Sequence, residues 1–414
     1  MPHYRDPLTM EDSPITRASE PAATIAWLLG EAKQLPSGPS LLKALSLRLN
    51  EIGLPLARSS FHVRTLHPTL FGLGFRWYRG RDEIEVFHAE HGVRDTDLYR
   101  RSPLRLIFDG DVDEINQPLD LDEDHFQFPF YQDLKSEGFT DYRAFALTFS
   151  DGKTQATTWT TDQEGGFTDA QIGLIKHLLP IFSLLIEIHL NRRIAINLLD
   201  TYVGRKAGER VLSGQITRGI GDSVEAAIWF SDLRGFTAMS ESRGRDELLG
   251  LLNQYFDRMA VPVEKHGGEI LKFIGDAVLA IFPLGDGTGG DACERALNAA
   301  IEAQFAMTSL NEEQADADGS ELACGIGLHV GEVMYGNIGS TNRLDFTVIG
   351  PAVNLTSRIE GMCRKLGQNV LISDDFTKRL GKDVRRQSLG SYQLAGVRRE
   401  VELFSPDMPE NSLA

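Results

Sequence analysis

From residue 226 to residue 373 the chain alternates short apolar runs with amphipathic helical stretches, and this order restricts the fold more than any other feature. The run 226–230 (AAIWF) reads as a strand. Residues 245–265 read as a helix, with Leu248, Leu249, Leu252, Tyr255, Phe256 and Met259 on one face. Residues 269–273 and 277–282 read as strands flanking Gly275-Asp276, a two-residue hairpin. Residues 293–310 read as a second helix, 322–329 and 332–338 as a hairpin pair, and 345–349 as a further strand. A helix over 353–366 and a strand over 370–373 follow. The sum is a β-α-β-β-α-β core with additions, an α+β, ferredoxin-like layer.

The first half has a different texture. Residues 1–22 are polar and read as a flexible tail. An amphipathic helical pattern over 23–52 is broken by the turn-rich stretch 34–40. Strand-like runs then recur at 74–78, 84–88, 105–108, 143–149 and 155–160, with Ser150-Asp151-Gly152-Lys153 as a hairpin turn. A long helix begins at Thr168, where Thr168 and Gln171 form a capping-box pattern. Its apolar positions 172, 175, 179, 182 and 186 make a short heptad seam, and Pro180 predicts a kink. A second helical stretch runs over 192–212. These signals divide the chain into a tail (1–22), an α/β unit (23–190), a helical linker (191–222), the α+β unit (223–406) and a tail (407–414).

Composition excludes some partners. Lys and Arg number 42 against 59 Asp and Glu, a formal net charge of −17, which opposes nucleic-acid and polybasic membrane binding. The three cysteines form no CxxC pair, as expected for reduced thiols. The best apolar run, 178–190, is short and carries Glu187 and His189, so no membrane span and a cytoplasmic location are expected. Histidines 62, 67, 88 and 91 lack metal-ligand spacing and read as scattered surface groups.

Two acidic residues stand out by their placement. Asp232 follows the strand AAIWF, and Asp276 occupies the hairpin tip 44 residues later. Carboxylates on adjacent strands of one sheet can hold two hard cations about 3.5–4 Å apart, the arrangement used in phosphoryl chemistry. The segments FSDLRGFT, GGEILKFIGDAVLAIF, GIGLHVGEVMYGNIGS and FTVIGPAVNLTSRIE occur in that order. Together they resemble the class III nucleotidyl cyclase catalytic domain over about residues 224–406. That family forms 3′,5′-cyclic nucleotides from nucleoside triphosphates at the interface of a catalytic dimer.

The resemblance implies roles residue by residue. Asp232 and Asp276, with the carbonyl of Leu233, would bind two Mg²⁺ or Mn²⁺ ions. Backbone N–H groups around Gly235, Phe236 and Thr237 would cradle phosphates. Asn354 would position the ribose and Arg358 would stabilise the charged phosphorus. The family's base-reading lysine falls on Lys272, whose ammonium suits adenine N1, an acceptor, and not the N–H of guanine. The second base-reading position falls on Thr347, as in a threonine-type adenylate cyclase subclass, while Asp345 lies two residues off it. Pro351 and Ala395 depart from the family pattern, and Arg343, Arg398 or Arg399 would replace the basic phosphate contact expected at Ala395. The reading implied is a homodimeric adenylate cyclase acting on ATP. A guanylate cyclase or a silent nucleotide-binding module is the alternative. The stretch ATTWTTDQEGGFTDAQ resembles GAF-type sensory domains, which implies an unidentified small-molecule or protein signal at residues 23–190. Trp77, Tyr78, Phe145 and Trp159 read as core aromatics rather than as a pocket.

Overall fold

The computed structural model describes residues 15–65, 70–219, 221–285, 290–314 and 321–407. Most of both expected tails and His67 lie outside them. Residues 1–198 and 199–414 form two compact units.

In the first unit, strands β1 (Arg58–Arg64), β2 (Leu70–Tyr78), β3 (Glu85–Glu90), β4 (Glu114–Pro118), β5 (Asp141–Thr148) and β6 (Thr154–Thr161) form an antiparallel sheet in the order β3-β2-β1-β6-β5-β4. Alternation sends Phe61, Phe75, Trp77, Phe145 and Trp159 to one face, where they pack beneath the helices Gly38–Glu51 and Asp169–Val203. Those aromatics are core, as expected, whereas Tyr78 lies on the other side with its ring 5.8 Å from the Arg58 guanidinium. Residues 105–108 are not a strand. They belong to the helix Leu104–Phe108, where Leu104 and Ile107, three apart, share a buried face. His62 is not a surface group, because burial pushes it down to about 3 in the lining of a cavity of this unit, whereas His88, at the edge of the same cavity, is exposed as expected.

The capping box is formed. Gln171 N–H donates to Thr168 Oγ1 (3.3 Å) and Thr168 N–H to Gln171 Oε1 (2.9 Å). The helix runs from Asp169 through Pro180 to Val203 without a break near residue 191. It stops at Gly204, whose φ of 90° and ψ of 151° suit glycine almost alone, and the chain resumes as the helix Arg205–Leu212. Asp169–Val203 is long and apolar enough to cross a membrane by length and composition, yet Ile175, Leu178, Phe182, Leu185 and Ile186 are buried in the first unit's core.

The second unit holds β7 (Gly221–Leu233), β8 (Glu269–Ile274), β9 (Ala277–Pro283), β10 (Cys324–Gly339), β11 (Leu344–Ile349), β12 (Val370–Ser373), β13 (Arg386–Gln393) and β14 (Glu400–Pro406). The sheet order is β13-β14-β12-β10-β7-β9-β8, with β11 paired to β10. The antiparallel centre β10-β7-β9-β8 is the expected ferredoxin-like arrangement, with the helices Arg245–Lys265 and Gly290–Gln314 as its crossovers. Those helices cover one face through Trp229, Tyr255, Phe282 and Leu297. The expected hairpin over 322–338 is instead one strand, β10, paired with β7 from Cys324–Leu233 to Gly336–Gly221. Gly331 does not turn the chain; a Cβ there would stand 2.7 Å from the Cβ of Ala352, so the glycine lets the helix Pro351–Glu360 approach. The hairpin in this region joins β10 to β11, with Gly339 opposite Leu344. Cys293, Cys324 and Cys363 are all buried free thiols, each pushed up to about 12 by burial.

Candidate active site

The buried run Ala226–Trp229 anchors β7 in the sheet centre and delivers Asp232 to its end, opposite Gly325 of β10. The β8–β9 hairpin pairs Ile274 with Ala277, and Gly275 takes the positive φ (65°) that so tight a turn requires. This brings Asp276 against Asp232, and the two carboxyl groups hydrogen-bond to one another. Asp232 is raised to about 6, first by burial and then by the negative charge of Asp276, while the Leu233 N–H donates to it and opposes the rise. Glu360, closing the helix Pro351–Glu360, is a third carboxyl in the same field. Burial and the charges of Asp232 and Asp276 raise it to about 7, and Arg234 opposes them. Arg234 is held by Nη2–H donation to the Gln368 carbonyl at 2.6 Å. Gly325 and Gly327 make room for this helix, since a Cβ at either would meet Glu360 at 2.5–2.6 Å.

Among the described residues no three His, Cys, Asp or Glu side chains converge on one ion position. The donor set is therefore two carboxylates. Hard oxygen donors whose mutual repulsion raises a proton affinity fit a divalent cation, which would relieve the same repulsion.

A second group forms on β8 and β11. The Lys272 ammonium donates to Asp345 Oδ2 at 2.5 Å, and this bond holds the Asp345 carboxyl below its ordinary range. Phe346 and Val348 are buried, so Asp345 and Thr347 share the opposite face of β11. Asp345, two residues off the expected base-reading position, is the partner that places the lysine. Its two-residue spacing from Thr347 is the signal in the sequence, because on a strand that spacing means one face. Arg343, in the β10–β11 turn, lies close enough to lower Asp345 further. Both partners of the Lys272–Asp345 pair are more than two-fifths exposed, so its contribution to stability is below about 1 kcal/mol. Its significance is the placement of the ammonium.

Asn354 and Arg358 stand one turn apart on Pro351–Glu360, exposed on the side away from buried Ala352, Leu355 and Ile359. Neither side chain hydrogen-bonds to any described residue, and neither is bonded to the Asp232–Asp276 pair or to Lys272. Pro351 occupies the first helical turn, where its missing N–H costs nothing. Gly235, at φ 76°, caps the short helix Phe236–Ser242 that carries Thr237. Ala395 is exposed. Of the basic residues near it, Arg399 is engaged by Asp374 and Asp375. Within one chain the site is thus in separate parts: the carboxyl cluster, the Lys272–Asp345–Thr347 group, and the exposed Asn354–Arg358 pair.

Residues 221–405 match the adenylate and guanylate cyclase catalytic domain family. Members of that family use divalent metal ions. The chain is 39% identical over 166 residues to an adenylate cyclase of Anabaena cylindrica, covering 39% of this chain and 32% of that protein. It is 29% identical over 211 residues to adenylate cyclase 2 of Rhizobium meliloti, covering 49% of this chain and 55% of the relative. The solved adenylyl cyclase CyaB of P. aeruginosa is 28% identical, with a TM-score of 0.43, over 47% of this chain and all of that one. The chain therefore spans between about a third and just over half of these two curated relatives.

Proposed function

We propose that the protein is an adenylate cyclase that converts ATP to 3′,5′-cyclic AMP and pyrophosphate. The observation that carries this reading is the Asp232–Asp276 carboxyl pair at the ends of adjacent elements of the central sheet. In the reaction the ribose 3′-OH loses its proton, the O3′–Pα bond forms, the Pα–O–Pβ bond breaks, and pyrophosphate leaves. Asp232 and Asp276, with the Leu233 carbonyl, are the groups that would hold two Mg²⁺ or Mn²⁺ ions. When bound, those ions supply positive charge to the attacking oxygen and the phosphates. Gly235, Phe236 and Thr237 offer backbone N–H groups to the β- and γ-phosphates. Asn354 orients the ribose and Arg358 places its guanidinium on the charge that develops at phosphorus. Lys272 donates to adenine N1, Thr347 accepts from the 6-amino group, and Asp345 keeps the ammonium oriented. Arg343 is the basic residue best placed to stand in for the contact missing at Ala395.

The separation of these parts within one chain favours a homodimer whose two sites each draw the carboxylates from one protomer and Lys272, Thr347, Asn354 and Arg358 from the other. Residues 23–190 are read as a GAF-like sensory unit that regulates this chemistry. Its antiparallel sheet, with the long helices on one face and short helices and a cavity on the other, supports that reading.

Product analysis of the full chain with ATP or GTP, in Mg²⁺ or Mn²⁺, tests the proposal. Cyclic AMP from ATP, lost in Asp276→Asn, is expected. Cyclic GMP as the main product would replace it with the guanylate reading, and no product with either metal would favour a silent module. Mixing Asp276→Asn with Arg358→Ala chains tests the shared site. Random exchange makes half the dimers mixed, each with one intact site, so about a quarter of wild-type activity returns. No recovery would refute shared sites.

A further inference from the structure

One face of the first unit's sheet carries charges that its long helices do not cover. On β1, Phe61 and Val63 enter the core, so Arg58, Ser60, His62 and Arg64 project to the other side. The register of β2 places Arg76 opposite Ser60 and leaves Gly74 opposite His62. Three arginines and a histidine thus share one face, beneath a cavity of about 700 Å³ that all four line. That volume suits a small organic molecule.

The polar groups of this cavity are incompletely paired. Arg58 is 2% exposed, and its Nε and Nη1 have no hydrogen-bond partner. Nε of Arg64 and Nε of Arg76 are likewise buried without a partner, as is the Tyr142 hydroxyl. Arg76 has one exposed carboxylate, Glu85, at 3.3 Å, and Arg64 donates to the Phe108 carbonyl at 2.8 Å. Among the described residues Arg58 has no carboxylate partner at all. A buried, unpaired charge is expensive, and burial together with the Arg76 charge lowers the proton affinity of Arg58. His62 adds no positive charge, since burial and the same arginines push it down to about 3. The acidic lining residues Asp97 and Asp133 are exposed, and Asp97 is 3.6 Å from Arg100.

The aromatic residues complete the pattern. Phe130 lies 5.7 Å from the Arg58 guanidinium, Phe108 4.9 Å from that of Arg64, and Phe87 5.1 Å from that of Arg76. Rings occupy the guanidinium faces, and the unpaired N–H groups lie at the edges, where a carboxylate binds. We propose that this cavity is a binding site for a small organic acid, its carboxylate taken by the edges of Arg58 and Arg76, which are neighbours across β1 and β2, and its flat apolar body by the phenylalanine rings. The family match at 221–405 leaves this unit out, so the inference stands apart from the cyclase reading.

Calorimetric titration and thermal melting of the full chain test it, with cinnamate, 2-naphthoate and indole-3-acetate each beside its primary amide. At least one acid is expected to bind ten-fold or more tighter than its amide and to raise the melting temperature. Arg58→Met is expected to melt no lower than wild type without ligand, because it removes an unpaired buried charge, and to abolish the difference between acid and amide. Should Arg58→Met fail to fold, Arg76→Met makes the same comparison. The proposal is overturned if every acid binds no better than its amide, which would mark the cavity as merely apolar. It is equally overturned if the arginine variant loses stability while the difference persists, which would mark a purely structural arginine.

Discussion

Removing one charge from the Asp232–Asp276–Glu360 cluster should stabilise the second unit when no metal is present. Asp232 gives up its proton near 6 in the folded protein, against 3.8 without its surroundings. Below 3.8 the group is neutral in both folded and unfolded chains and costs nothing. As pH rises from 3.8 to about 6 the unfolded chain ionises first, so stability falls, and above 6 the whole penalty is present. At about 1.4 kcal/mol per pH unit, a fully shielded group would cost about 3 kcal/mol. Asp232 is only half-buried, and solvent screening reduces this to about 1–2 kcal/mol. Asp232→Asn keeps the shape and removes the charge. In EDTA at pH 8 it should melt about 2–8 °C above wild type, at roughly 2–4 °C per kcal/mol for a unit of this size. The gain should shrink as pH falls from 6 toward 4. In millimolar Mg²⁺ it should reverse, because only wild type then gains binding energy. A variant that melts at or below wild type in EDTA at pH 8 would refute the electrostatic account of the cluster.

Other perturbations have equally definite outcomes. Gly327→Ala sets a Cβ 2.6 Å from the Glu360 backbone nitrogen and 2.7 Å from the Thr356 carbonyl, so the helix Pro351–Glu360 must move. A loss of about 1–3 kcal/mol is expected in urea denaturation, with activity falling before the fold does. Tyr335→Phe removes the hydroxyl that donates to Glu269 Oε1 at 2.5 Å, while Oε2 is already buried without a hydrogen-bond partner. Stability should fall by about 1–3 kcal/mol. Because burial already raises Glu269, the fall should be larger at pH 8 than at pH 5, and equal losses at both would count against it. Lys272→Ala should lower kcat/KM for ATP by roughly 10–100-fold while changing stability by less than about 1 kcal/mol. An unchanged preference for ATP over GTP would remove Lys272 from base recognition.

The parts of the fold set by local chemistry were readable from the residues. Gly275-Asp276 between two apolar runs is a two-residue hairpin, and Thr168 with Gln171 is a formed capping box. Asp232 and Asp276 meet because the end of a central strand and a two-residue hairpin, both local features, fix them. The errors arose where a residue answered to something distant in the chain. Gly331 read as a turn, but it is a strand residue kept small by Ala352, and only the packed helix explains it. The run at 105–108 is too short for its period to decide between strand and helix, and the tertiary burial of Leu104 and Ile107 decided it. For Asp345 the distance from Gly350 is uninformative, and the face of β11 that it shares with Thr347 is the relevant measure. The arginine-lined cavity gave no motif at all. Arg58, Arg64 and Arg76 lie on two strands, and strand register alone assembles them.

The buried thiols make this chain convenient for site-directed labelling. With each held near 12, the reactive thiolate at pH 7.5 is a fraction of roughly three in 10⁵, and the surrounding core blocks access as well. The native cysteines can therefore stay in place. A cysteine introduced at Tyr202, 78% exposed near the end of the long helix, becomes the thiol that a maleimide or nitroxide reagent finds first. Spectroscopic rulers can then be attached to an otherwise unaltered protein, and any change that ligands impose on that helix followed in solution.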